Sequence, residues 1–308
     1  MERSGDMIPS SIVLNAGKRW GAYSMKFRKV AVVGIGTMGG QIGIVCAGGG
    51  FETMMIDTSE AQVEKGVKRI RSFLEEQVKR KKMDSRAMGE ILSRISTTAE
   101  LRAGVEEADL VIEAVYEDIA IKKEVFRMAD EACPPGAILA SNTSTLWMTE
   151  IASATKRPER CIGTHFLIPA ARTPLVEVVR GVRTSDETHD TVIDFLHHCG
   201  KETVSVTDSP GFVINRLYVP MVNEAFFALE AGLASADDID KACTKGLAYP
   251  LGPLAAADAA GLDVMLACIQ TLHRELGEKY RPAPLLVKMV KAGRLGRKSG
   301  RGVYEYSR

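Results

Sequence analysis

Nowhere do two of the six cysteines (Cys46, Cys133, Cys161, Cys199, Cys243 and Cys268) form a C-x-x-C pair. That removes the usual zinc-ribbon and dithiol-redox patterns, and scattered cysteines of this kind read as reduced, mostly buried small hydrophobes of a cytoplasmic protein. The five histidines also lack metal-ligand spacing, so no metal site is expected. Charge of one sign is not in excess: the formal net charge is +1, which gives no reason to expect a nucleic acid or an anionic membrane as partner. No apolar run approaches the length of a membrane span, and neither internal repeats nor low-complexity segments are visible. Residues 1–25 lack a cationic start with a long apolar core, and Glu2 and Asp6 speak against a transit peptide. They read as a disordered extension, or as an over-early assigned start, without function.

What is there is concentrated between Lys29 and Asp57, KVAVVGIGTMGGQIGIVCAGGGFETMMID. Val30 to Val33 suit a strand buried on both faces. Gly34, Ile35, Gly36, Thr37, Met38 and Gly39 then form G-x-G-x-x-G. The first glycine permits the turn, the second lets backbone approach a pyrophosphate, and the third lets helix and strand pack closely. Amides at the start of the next helix face the phosphates with the positive end of its dipole. Asp57 ends the second strand, where a carboxylate accepts from an adenosine ribose and repels a 2′-phosphate. Strand, glycines, helix, strand and acid in this order predict a bound dinucleotide, NAD rather than NADP.

The rest of the chain alternates. A helix is predicted from about Glu60 to Lys82, ending in the cationic Lys79-Arg80-Lys81-Lys82, which reads either as a solvated helix end or as a seat for a phosphorylated ligand. Strands are predicted at 109–115, 137–140, 161–166, 176–179 and 202–206, the later ones including antiparallel pairs. This is an α/β chain with a Rossmann-like doubly wound sheet over residues 26–207, followed by an all-helical C-terminal domain over 208–308. In the latter, helices are predicted at 212–230, 236–246, 255–276 and 283–293. Phe226, Phe227 and Leu229 give the first more apolar surface than one helix needs, which points to a homodimer through this domain.

His165 ends a strand at the edge where doubly wound sheets bind ligands, and Glu177 lies in a neighbouring apolar strand. Such a pair beside a nicotinamide can remove a hydroxyl proton as hydride leaves the same carbon. From spacing alone a lone strand histidine is also an ordinary structural residue. Ser144 reads as a cap or a site residue, and Asn215 as a surface amide or a polar group serving the site.

Taken together, VGIGTMG, the Asp57 strand end, ASNTSTL, GTHF…PLVEVV, SPGFVINR, GPLAAADAAGLD and GRLGRKSGRGVYEY resemble the L-3-hydroxyacyl-CoA dehydrogenase family from Lys29 to Tyr306. The resemblance implies an enzyme joining an NAD-binding domain to a helical dimerisation domain. Such an enzyme oxidises the 3-hydroxyl of an acyl-CoA, here a short one such as 3-hydroxybutyryl-CoA, in fatty-acid or butanoate metabolism. It implies His165 as catalytic base and Glu177 as its partner. Ser144 falls on the serine touching substrate and cofactor, and Asn215 on an asparagine touching substrate. Glu117, Lys122 and Lys298 fall on cofactor contacts, and Arg80 on a region meeting CoA. Many members read H-F-F-N-P, whereas this chain reads His165-Phe166-Leu167-Ile168-Pro169, with Arg172 shortly after. That departure keeps two alternatives in view: a dehydrogenase of a 3-hydroxy acid without CoA, such as a sugar acid, and an NAD-binding protein without catalysis.

Overall fold

The computed structural model describes residues 27–306, so the extension expected at residues 1–25 lies outside the described residues. The fully or nearly buried run Val30–Val33 forms the core of β1 (Lys29–Val33), a strand covered on both faces. After it come α1 (Thr37–Gly48), β2 (Glu52–Ile56), α2 (Glu60–Lys79), α3 (Ser85–Ser93), β3 (Ile95–Thr98), α4 (Leu101–Val105), β4 (Leu110–Glu113) and α5 (Ile119–Ala132). The sheet unit is completed by β5 (Ile138–Ser141), α6 (Met148–Ala152), β6 (Cys161–Phe166), β7 (Leu175–Arg180), α7 (Asp186–His198) and β8 (Glu202–Thr207).

The eight strands are ordered β3-β2-β1-β4-β5-β6-β7-β8. Neighbours run parallel throughout, except that β6 and β7 are antiparallel. The order reverses between β1 and β4, so the carboxyl ends of β2, β1, β4, β5 and β6 share the ligand edge of a doubly wound sheet. Side chains such as Val32, Ile42, Met55, Ile112 and Ile162 fill the core beneath. The edge strand β3 escaped sequence reading because Ile-Ser-Thr-Thr is polar and half-exposed, with too little apolar pattern to announce a strand. The helix predicted to Lys82 stops at Lys79, where Arg80 caps it and Lys81 turns to φ +56°.

The described chain divides into two compact units. One runs to Thr143 and resumes over Trp147–Asp208; the other gathers Ser144–Leu146 with Ser209 onward. The second is helical: α8 (Ile214–Glu230), α9 (Ala236–Lys241), α10 (Pro253–Ala260), α11 (Leu262–Leu276) and α12 (Pro284–Lys291). Val222, Phe226, Leu254, Leu262, Ile269 and Leu286 form its core. The single helix predicted across 255–276 is two helices bent by 101°, because Gly261 between them sits at φ +105°, a conformation other residues rarely adopt. Buried Asp258 holds the tail by accepting from the amides of Val303 and Tyr304, each at 2.9 Å, and from the Tyr306 hydroxyl at 3.0 Å. Among the described residues no single helix is long and apolar enough to cross a membrane.

Candidate active site

The glycine turn is built as its spacing requires. Gly34 leaves β1 at φ +97°, and a Cβ there would meet the Ala114 carbonyl oxygen at 2.7 Å. Gly36 is the N-cap of α1 and offers no side chain to its amides, so the first N–H groups of the helix keep their capacity for an anion. No atom lies within 4 Å of a Cβ built at Gly36, so the backbone is open to a close-lying ligand. Asp57 accepts from the Ile35 amide at 2.8 Å and from the Thr58 amide at 2.8 Å, which aims its carboxylate at the turn. Arg69 on α2 clamps the turn from outside by donating to the Ile35 carbonyl at 2.7 Å. These features fit a dinucleotide whose ribose meets a carboxylate.

At the ends of β4 and β5 lies a buried polar cluster that sequence reading found only in part. Glu113, fully buried, accepts from the Val115 amide at 2.7 Å, the Lys122 ammonium at 2.8 Å and the Ser141 hydroxyl at 2.6 Å. Lys122 also reaches Glu117 at 3.2 Å, and Glu117 accepts from the Thr143 hydroxyl at 2.7 Å. Glu113 was hidden inside an apolar strand run, and its one visible sign was an acid where none is affordable unpaired. Asn142, also missed, accepts from the Phe166 amide at 2.9 Å and so ties the end of β5 to the residue after His165.

His165 and Glu177 stand directly opposite each other in the antiparallel β6–β7 register. Opposed residues share a face of the sheet, and their side chains meet with Nδ1 of His165 2.7 Å from Oε2 of Glu177. Both are buried, His165 at 5% exposure and Glu177 at 0%. With Nδ1–H donated to the carboxylate, Nε2 is the nitrogen able to take a proton.

The β6–β7 connection carries Ile168, whose side chain is 69% exposed, and exposed Arg172. It is pinned from below by Lys201, which donates to the carbonyls of Ala170 at 2.7 Å and Thr173 at 2.8 Å. Burial lowers the Lys201 ammonium from its ordinary value to about 8. The native state therefore releases this proton at lower pH than the unfolded chain does, so between about pH 8 and 10.5 the unfolded state binds more protons and this group adds stability as pH rises. Comparing urea unfolding of the wild type with Lys201→Met removes the titrations that do not depend on Lys201. The difference is expected to move in favour of the wild type by up to about 1.4 kcal/mol per pH unit in that window; a difference flat with pH would contradict it.

In the first unit the structure thus gathers the glycine turn, Asp57, Glu117, Lys122, His165 and Glu177 at one sheet edge. Arg80 is not among them: it ends the 20-residue helix α2, about 30 Å along the helix from its start beside β2, and is ion-paired with Glu76. In the helical unit, Asn215 donates to the Ser144 carbonyl at 3.1 Å, and Lys298 pairs with Asp263 at 2.6 Å. Phe226 is fully buried, and Phe227 and Leu229 pack against the same core, so the apolar surplus read from these three is used within the unit. The most exposed apolar side chains of the unit are others, Leu233 at 77%, Leu217 at 70% and Leu247 at 62%. A cavity of about 700 Å³ lined by Trp147, Arg180 and Val182 lies beside the end of β7, at the opposite edge of the sheet from His165.

Comparison with known proteins gives the family. Residues 29–209 match the NAD binding domain of 3-hydroxyacyl-CoA dehydrogenase, and residues 211–306 match the C-terminal domain of the same family. A probable 3-hydroxybutyryl-CoA dehydrogenase of Bacillus subtilis is 45% identical over 283 residues, covering 92% of this chain and 98% of the relative. The 3-hydroxybutyryl-CoA dehydrogenase of Clostridioides difficile is 43% identical, with 91% and 100% covered. The crystal structure of (S)-3-hydroxybutyryl-CoA dehydrogenase from Ralstonia eutropha superposes with a TM-score of 0.87 at 43% identity, covering 92% of this chain and all of that one.

Proposed function

The chain belongs to the 3-hydroxyacyl-CoA dehydrogenase family, and from that premise we propose that it acts on a short acyl-CoA, 3-hydroxybutyryl-CoA and its 3-oxo counterpart. The observation that carries this reading is the buried His165–Glu177 pair at the ligand edge of the sheet. NAD, when bound, supplies hydride exchange at its nicotinamide ring. Nε2 of His165 takes the proton of the substrate 3-hydroxyl in oxidation and returns it in reduction. Glu177 holds the imidazole in the required tautomer and stabilises the imidazolium.

Gly34, Ile35, Gly36, Thr37, Met38 and Gly39 present backbone to the pyrophosphate, and Asp57 takes the adenosine ribose. Glu117, Lys122 and Lys298 serve the cofactor, Ser144 both ligands, Asn215 the substrate, and Arg80 the CoA phosphates. Arg80 and Lys298 leave their present ion pairs with Glu76 and Asp263 to do so. Leu217 and Leu247 support a homodimer formed through the helical unit, and six free cysteines support a cytoplasmic location.

The second reading, a 3-hydroxy acid without CoA, rests on Ile168 standing where many members carry asparagine. One comparison separates the two. With acetoacetyl-CoA the purified protein is expected to oxidise NADH rapidly, and with free acetoacetate or 3-oxo sugar acids only slowly. Faster turnover of a free acid would replace the CoA reading.

A further inference from the structure

We propose that the Glu113–Lys122–Glu117 cluster is an electrostatic selector that makes this protein hold oxidised NAD more tightly, relative to NADH, than it otherwise would. The inference rests on NAD being the cofactor and goes beyond that reading to Glu113, which has no part in it. An ionised carboxylate at 0% exposure, within a strand whose other residues Leu110, Val111 and Ile112 are also buried, is costly even when paired. Its hydrogen bonds are nonetheless complete: Val115 N–H and the Lys122 ammonium on one oxygen, the Ser141 hydroxyl on the other. Lys122, at 1% exposure, is in turn shared with Glu117. Two carboxylates thus face one ammonium, and the three groups together carry one negative charge when ionised. The next lysine along, Lys123, lies at 4.0 Å from Glu150.

The position of this charge gives it a consequence. Asp57, which suits the adenosine ribose, directly follows β2, and His165, beside which hydride must move, lies near the end of β6. A dinucleotide reaching from one to the other crosses the ends of β1, β4 and β5. Glu113 ends β4 and Ser141 ends β5, so a dinucleotide on that path would pass the cluster before its pyridine half reached His165. The nicotinamide ring is a cation in NAD+ and neutral in NADH. At a separation of about 10 Å in a partly buried setting, one negative charge would discriminate between them by a factor on the order of ten. In the bound complex this favours the oxidised cofactor, and with it reduction of the 3-oxo group over oxidation of the 3-hydroxyl.

The test is equilibrium binding of NAD+ and of NADH to the full-length protein without acyl substrate, by calorimetry. Glu113→Gln removes the charge and is expected to raise the NAD+ dissociation constant on the order of tenfold more than that of NADH. Ser141→Ala removes two hydrogen bonds, the one donated to Glu113 and the one accepted from the Thr143 amide, but no charge, so it is expected to leave the ratio of the two constants unchanged. Should Glu113→Gln fail to fold, as judged by circular dichroism, Glu117→Gln carries the test, because its carboxylate is 35% exposed and its loss shifts the ratio in the same direction. If the charge-removing variant weakens both cofactors by one common factor, or neither, the cluster only positions the loops and the proposal is overturned. Binding of neither cofactor by the wild type would instead overturn the NAD reading itself.

Discussion

Replacing His165 with glutamine is expected to lower kcat by about two to four orders of magnitude while NADH affinity stays nearly unchanged. Glutamine is polar and of similar length, and it keeps an N–H for the Glu177 carboxylate now 2.7 Å from the imidazole. What it lacks is a basic nitrogen for the substrate hydroxyl. The loss therefore falls on proton transfer, and its signature is a collapse in single-turnover rate with the dissociation constant for NADH preserved. Glu177→Gln is expected to cost less by itself, since the imidazole survives but loses the group that fixes its tautomer and stabilises its cation. Because the two residues act as one unit, the double variant should be hardly slower than His165→Gln alone. Rapid turnover by His165→Gln would remove the histidine from the mechanism.

Two glycines of the turn are expected to fail in opposite ways. A Cβ at Gly39 would stand 1.8 Å from the Gly34 carbonyl oxygen and 3.3 Å from the Ala114 side chain. The nearest atom belongs to backbone, so α1 must move away from β1. Gly39→Ala should therefore lower stability by about 1–3 kcal/mol or more and abolish measurable NADH binding with it. At Gly36 no protein atom lies within 4 Å of the added carbon. Gly36→Ala should keep the wild-type melting temperature and lose affinity only because a methyl group occupies space the pyrophosphate needs. Calorimetric melting and NADH titration of both variants check the contrast. A stable Gly39→Ala that binds normally would contradict the packing role of the third glycine.

Where sequence reading missed, the reasons were local. The strand at Ile95–Thr98 lies at the polar edge of the sheet, where neither alternation nor an apolar run marks it. The break at Gly261 falls inside a continuous helical pattern; only the backbone angle reveals it. Glu113 was hidden inside an apolar strand run, because the ammonium that neutralises it and the hydroxyl that donates to it come from positions 9 and 28 residues further on.

The amino-acid sequence by itself determined the dinucleotide turn and the alternation of strands and helices, and through its ordered motifs the family, which singled out His165 and Glu177 as candidates. The turn and the alternation depend on short-range spacing, and the family on the order of many motifs along the chain. Tertiary structure alone decided the antiparallel register that sets those two side chains 2.7 Å apart. It also decided that Arg80 rests at the far end of α2, and that a lysine and two glutamates close into one charged cluster beside the glycine turn. Register and burial arise from packing between distant segments, and a one-residue slip of β7 would have turned Glu177 to the opposite face of the sheet.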